Sequence, residues 1–225
     1  MQSDPIHSYV SRGGLKLRHA LEAFRVDVRG LSCADFGCST GGFTDCLLQA
    51  GAAHVTSIDT AYGEFAWKLR NDPRVTLLER TNALHVRAPA MDQRPQLIVI
   101  DLGWTPQRLC LPAALNWLSS AEPAAASGGD ESDTGRIITL IKPHYELEPA
   151  EKSLLVKGVL PDAEAQRVAE RVMASFPDMG LNLIASTRSP IAGSKENRQG
   201  NAEWLAVLGR ARSPDAPGQP HAISD

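Results

Sequence analysis

Apolar and polar positions follow two periods that succeed one another along the chain. Leu15, Leu17, Ala20, Leu21 and Phe24 recur at helical spacing behind a Gly13-Gly14 turn, which predicts an amphipathic helix with Lys16, Arg18, His19 and Arg25 on its other faces. Ser32 to Phe36 is a short β-rich run that stops at Gly37. A glycine loop follows, and Phe43 to Ala50 returns to helical spacing before Gly51 closes it. His54 to Ile58 predicts a second strand, Tyr62 to Leu69 a helix broken by Asp72-Pro73, and Val75 to Leu78 a third strand. Leu97-Ile98-Val99-Ile100 is apolar throughout, as expected of a strand covered on both faces of a parallel sheet. A helix is expected from Pro106 toward Trp117, a fifth strand over Ile137 to Ile141, and a helix over Ala163 to Phe176. The last strands are read at Leu181 to Ala185 and at Glu203 to Leu208. Residues 119–135, rich in Ala, Ser, Gly, Asp and Glu without periodicity, read as a flexible insertion, and 212–225 as a disordered tail.

Strands alternating with helices predict one α/β domain over residues 1–211, a Rossmann-like doubly wound sheet with helices on both faces. Such sheets bind ligands at the carboxyl ends of their strands. Gly37, Asp59, Asp101 and Lys142 each stand where a strand has just ended, so they are expected along one edge.

Composition bounds this picture. The 225 residues, 43% apolar and 22% charged, suffice for a substantial core, and a formal charge of −3 provides no global basic field, so nucleic-acid contact must come from a local patch or a partner. Cys33, Cys38, Cys46 and Cys110 contain no C-x-x-C pair, which argues against a zinc site or a disulfide framework; no metal is expected. The chain lacks an apolar run of about eighteen residues and a signal-peptide core, so it reads as cytoplasmic, with no membrane partner.

Three templates compete for the loop Gly37-Cys38-Ser39-Thr40-Gly41-Gly42. A P-loop requires lysine where Phe43 stands, and the dinucleotide fingerprint requires a second glycine where Ser39 stands. The looser acidic-x-Gly loop of S-adenosylmethionine-dependent methyltransferases accepts Asp35-Phe36-Gly37, with Asp59 positioned for two ribose hydroxyls. A tight strand-to-helix turn needing glycine for backbone reasons alone is the plain alternative, and Asp59 has one too, as a helix cap.

Tyr9-Val10-Ser11-Arg12-Gly13-Gly14-Leu15-Lys16-Leu17, Asp35 with Ser39-Thr40-Gly41-Gly42-Phe43-Thr44-Asp45, and Leu69-Arg70-Asn71-Asp72-Pro73-Arg74-Val75 resemble the catalytic domain of the FtsJ/TlyA-like ribose 2′-O-methyltransferases. The resemblance resumes at Ile141-Lys142-Pro143 and Gly200-Asn201-Ala202-Glu203-Trp204. It implies a class I methyltransferase fold with a seven-stranded, mostly parallel sheet, S-adenosylmethionine as methyl donor, and structured RNA, such as ribosomal RNA or a ribosomal subunit, as acceptor. A Lys-Asp-Lys-Glu tetrad would fall on Lys16, Asp101, Lys142 and Glu203, the last opening the final strand. Donor contacts would come from Asp35, Gly37, Ser39, Thr40, Gly41, Gly42, Phe43, Asp59 and Asp101, with Asn82 in the adenine pocket. Arg12, Lys16, Arg18, Arg188 and Lys195 are the candidate RNA phosphate contacts.

Two departures stand out: the chain opens on the Arg12-Gly13-Gly14 motif without the small S4-like RNA-binding domain usual in the family, and Leu102-Gly103-Trp104-Thr105 replaces a Ser-Phe-Ile type segment. Trp104 can stack on a base. Lys142 is the candidate base, its pKa expected to be lowered by burial and by Lys16 nearby, with Asp101 orienting it and Glu203 holding a lysine. His144 and Tyr145 follow it but match no spacing for a base or metal. The alternatives are a methyltransferase of this fold acting on another acceptor, and a donor- and RNA-binding scaffold without turnover. No apolar segment or basic amphipathic helix supports membrane lysis.

Overall fold

Side chains along the fourth strand alternate between two cores: Leu97 and Val99 pack on one face of a central sheet, Ile98 and Ile100 on the other, and all four are buried. A computed structural model describes residues 8–119, 135–193 and 200–211. The expected insertion and tail, and Lys195, fall outside the described residues except for Ser119 and Gly135.

The strands are β1 (Ser32–Phe36), β2 (His54–Ile58), β3 (Val75–Leu78), β4 (Leu97–Ile100), β5 (Arg136–Ile141), β6 (Leu181–Arg188) and β7 (Trp204–Arg210), in the sheet order β3-β2-β1-β4-β5-β7-β6. All neighbours are parallel except β7, which runs antiparallel to both β5 and β6. Helices α1 (Gly13–Phe24), α2 (Gly42–Gln49) and α3 (Trp67–Arg70) supply Leu17, Leu47 and Leu69 to one core, and α4 (Gln107–Trp117) and α5 (Asp162–Ala174) supply Leu111 and Val168 to the other. The structure is thus the Rossmann-like fold of class I methyltransferases. All four cysteines are buried and free.

Two differences from expectation bear on the site. Only the last turn of the helix expected over Tyr62 to Leu69 forms, because the backbone before it is already engaged. Asp59 Oδ1 accepts from Ala61 N at 2.8 Å, Glu79 Oε1 from Gly63 N at 2.7 Å and Thr40 O from Ala66 N at 3.0 Å. Glu203 lies one residue before β7 rather than within it. Because β7 runs against its neighbours, its start lies at the edge where β4 and β5 end, and Trp204 pairs with Ile141. This reversal brings Glu203 to the edge that Asp101 and Lys142 occupy.

Candidate active site

A cavity of about 520 Å³ opens at the carboxyl edge of the sheet, and Lys16, Asp101, Lys142 and Glu203 all line it. They reach it from four places in the chain: the second turn of α1, the residue after β4, the residue after β5 and the residue before β7. Lys16 Nζ donates to Glu203 Oε2 at 2.5 Å, and Lys142 Nζ lies 2.5 Å from Asp101 Oδ1. Glu203 is 3% exposed, a burial such a carboxylate tolerates only with a partner. Burial raises its pKa, and Lys16 pulls the other way without fully offsetting it.

The expected low pKa of Lys142 is corrected by this pairing. Burial does act to lower it, but the charge of Asp101, its hydrogen bond and the charge of Glu203 together outweigh burial, so the pKa lies above that of an ordinary lysine. Lys16, invoked as the repelling neighbour, is instead paired with Glu203. Lys142 is therefore a fixed cation at neutral pH.

The glycine loop forms the adjoining wall, contributing Gly37, Ser39, Thr40, Gly42 and Phe43. Gly37 has φ +89, and a Cβ there would stand 2.6 Å from the backbone oxygen of Asp101, so the loop turns directly against the end of β4. Gly41 has φ +97, and a Cβ there would meet Leu69 at 2.5 Å. Asp59 holds the loop from behind: its Oδ2 accepts from Ser39 N at 2.7 Å while Oδ1 takes Ala61 N. It thus clasps two loops and caps no helix, and the carboxylate retains lone pairs for further donors. Asn82 lies beyond β3, its Oδ1 accepting from Leu84 N at 2.9 Å, and the neighbouring Thr81 N bonds Asp59 O.

Asp35 departs from its expected role as a direct donor contact. It is 0% exposed beneath the loop, on the α2 side of the sheet, where Thr44 Oγ1 donates to its Oδ2 at 2.7 Å and its Oδ1 has no hydrogen-bond partner. Burial raises its pKa to about 7, partly opposed by Thr44. The folded state therefore binds this proton more tightly than the unfolded state, and the stability Asp35 provides is lost as pH rises from about 4 through about 7. Asp35→Asn, which mimics the protonated form, is expected to raise the melting temperature at pH 8 by on the order of 5 °C, and the gain should vanish toward pH 4. Thermal denaturation of both proteins across that range checks this; an equal gain at both ends rules it out.

The candidate phosphate contacts separate. Arg12 lines the cavity, Arg18 pairs with Glu22 along α1 at 3.7 Å, and Arg188 is tied to Asp162 and lies over the Trp204 ring at 5.4 Å. Sequence reasoning missed the ring stack beside the cavity. A 3-10 turn over Pro143–Tyr145 brings Tyr145 against Trp104 at 4.6 Å and His144 against Tyr145 at 4.0 Å, although Trp104 and Tyr145 are 41 residues apart in sequence. Trp104 is 84% exposed and has φ +60, a left-handed backbone unusual for a bulky residue. Ser11, from the Tyr9 to Leu17 segment, also enters the wall, as do Ile191 and Gly193, which no local pattern marks.

Comparison with known proteins gives one consistent result. Residues 9–199 match the FtsJ-like methyltransferase family. The 16S/23S rRNA (cytidine-2′-O)-methyltransferase TlyA of Mycobacterium tuberculosis is 38% identical over 207 residues, covering 92% of this chain and 70% of that protein. Hemolysin A of Brachyspira hyodysenteriae is 34% identical over 88% of this chain and 75% of its own length. A solved structure named "Putative hemolysin" from Streptococcus thermophilus superposes with a TM-score of 0.79 at 32% identity, covering 96% of this chain and 72% of that one. Among the described residues no helix is long and apolar enough to cross a membrane, and no group of three or more His, Cys, Asp or Glu is arranged to hold a metal ion.

Proposed function

The chain belongs to the FtsJ-like methyltransferase family, and on that premise we propose that it methylates ribose 2′-hydroxyls of ribosomal RNA with S-adenosylmethionine as donor. The observation that supports this reading most is the meeting of two lysine–carboxylate pairs in the wall of the cavity that the glycine loop borders. The wall suits the donor. Its volume lies in the range of small-molecule sites, about 300–1,000 Å³, Gly37 and Gly42 bring the loop backbone to its wall, and Asp101 offers a negative charge for a sulfonium. When bound, the donor supplies a methyl group on positively charged sulfur. Gly37, Ser39, Thr40, Gly42 and Phe43 would hold it, with Asp59 keeping the loop in shape.

The chain's own residues then act on the acceptor. Lys142, held charged by Asp101, donates a hydrogen bond to the acceptor oxygen and fixes the direction of its lone pair. Lys16, anchored by Glu203, faces the same cavity as Arg12, and the two form a cationic rim for a phosphate. Trp104 presents an exposed aromatic face against Tyr145, which lines the cavity, as a platform for the base of the acceptor nucleotide.

The test is methyl-labelled donor with ribosomal subunits and free ribosomal RNA, followed by nucleoside analysis. Label in a 2′-O-methyl nucleotide is expected. Donor binding without label in any RNA would move the assignment to a non-catalytic scaffold, and label on a base or on protein would move it to another acceptor. In the same assay Trp104→Ala should raise the acceptor KM by about tenfold to a hundredfold, from about 1–3 kcal/mol of lost stacking, with donor affinity unchanged. An unaltered KM removes Trp104 from the acceptor platform.

A further inference from the structure

Resting on the reading above, that a hydroxyl is methylated in this cavity, we infer that Asn201 is a positioning residue for the Lys16–Glu203 pair. Glu203 stands one residue before β7, so the ladder that begins with Trp204 opposite Ile141 does not hold it. Its main chain is held instead by the segments around it. Ser189 N donates to Glu203 O at 2.8 Å, and two residues before Glu203, Asn201 exchanges both backbone bonds with Gly193, at 3.0 and 3.1 Å. Ala202, between Asn201 and Glu203, packs against the core.

The side chain of Asn201 adds the anchor. Its Oδ1 accepts from Leu160 N at 2.8 Å and its Nδ2 donates to Gly158 O at 3.1 Å, 41 and 43 residues away in the chain. These partners are themselves fixed. Leu160 is 3% exposed, and Val156 and Val159 close a two-residue turn with bonds of 2.8 and 3.0 Å, in which Lys157 and Gly158 take φ +52 and +83. An amide offers an acceptor to Leu160 N and a donor to Gly158 O at once, whereas a carboxylate would turn a lone pair on Gly158 O.

Close packing carries this placement to the carboxylate. Gly193, which lines the cavity, lies so near Glu203 that a Cβ on it would stand 2.2 Å from Oε1. The Glu203 side chain therefore has no room to compensate for a shift of its own backbone, and a displaced main chain moves Oε2 off Lys16 Nζ. Asn201 does not line the cavity, so it acts through Glu203.

The experiment is a double-mutant cycle on the single-turnover rate of ribosomal RNA methylation, with Asn201→Ala, Glu203→Gln and the two together. Donor binding by calorimetry and stability by chemical denaturation accompany it. Asn201→Ala is expected to lower the rate by about tenfold to a hundredfold, the loss that misplacement by about 1 Å brings, with donor affinity within about threefold. In the Glu203→Gln background, where the carboxylate it serves is already uncharged, it should add less than about threefold. Asn201→Asp keeps the bond from Leu160 N, loses the one to Gly158 O and nearly preserves the side chain's shape, so it tests the same role should the alanine variant fail to fold. It should lower the rate more than about threefold. Gly30→Ala separates positioning from plain destabilisation: it strains the backbone before β1, at the opposite end of that strand from the cavity, and should leave the rate within about twofold. A rate within threefold of wild type for folded Asn201→Ala or Asn201→Asp overturns the inference. So does an equal proportional loss in the Glu203→Gln background, which would place the effect elsewhere, or a loss in Gly30→Ala that matches Asn201→Ala at equal loss of stability. A wild type that binds donor and methylates no RNA removes the proposed function together with this inference; methylation by wild type with any of the other three results removes this inference alone.

Discussion

Lys142→Ala is expected to lower single-turnover methyl transfer by about 10²–10³-fold, the usual loss when a fixed donor to a reacting oxygen is removed, while leaving donor affinity within threefold. The reason lies in what the ammonium touches. Lys142 is joined to Asp101 at 2.5 Å, and its charge is stabilised there against a burial that alone would favour the neutral amine. Removing it takes away the donor that orients the acceptor oxygen and leaves Asp101 free to turn. Lys142→Arg should not restore the rate, because a planar fork cannot occupy the place of a compact ammonium beside Asp101. Binding calorimetry with the donor and rapid-quench labelling separate the two quantities. A rate within threefold of wild type would exclude Lys142 from the reacting centre.

Gly37→Ala should cost about 2–4 kcal/mol of folding stability and weaken donor binding more than tenfold. Two effects combine at this position. The backbone has φ +89, which a Cβ disfavours, and the added carbon would stand 2.6 Å from the backbone oxygen of Asp101. Gly37 N is meanwhile fixed to Ile58 O at 2.9 Å, so the loop cannot retreat without breaking the junction of β1 with β2. The strand end carrying Asp101 must move instead, and the donor wall and the Lys142 pair move with it. Gly30→Ala is the control: its φ is +75 but a Cβ there meets nothing within 4 Å, so it should cost only about 1 kcal/mol and leave donor binding alone. Equal losses in the two variants, by chemical denaturation and calorimetry, would show that strain alone acts at Gly37.

Much of this architecture is legible in the sequence because it is written in local terms. The apolar run of β4 and the mostly apolar run of β5 mark buried strands, and a strand's end marks the functional edge, so Asp101 and Lys142 can be placed from periodicity and one topological rule. Glu203 cannot. Its approach to Lys16 depends on β7 running backwards between β5 and β6, and strand direction leaves no trace in an alternation pattern. The charge state of Lys142 is illegible in the sequence for a related reason. Burial and a neighbouring lysine can be anticipated from sequence, whereas a carboxylate at contact distance is a property of how two strand ends meet. The ring stack of Trp104, Tyr145 and His144 is likewise a meeting of two loops, and neither announces the other. Asp35 shows the limit of a motif. Its place before the glycine loop is as expected, but the alternation of β1 turns its side chain beneath the loop and away from the cavity.

The reversed strand also gives the molecule a timetable. Lys16 and Glu203 are 187 residues apart in the chain, so on a ribosome the strands that carry the glycine loop and Asp59 emerge long before the carboxylate that completes the rim. A nascent chain can form the cofactor wall from the segment through β4 while Lys16 still lacks its counter-ion. The site is completed only when the hairpin of β6 and β7 inserts against β5, so catalytic competence waits on the segment that carries Glu203.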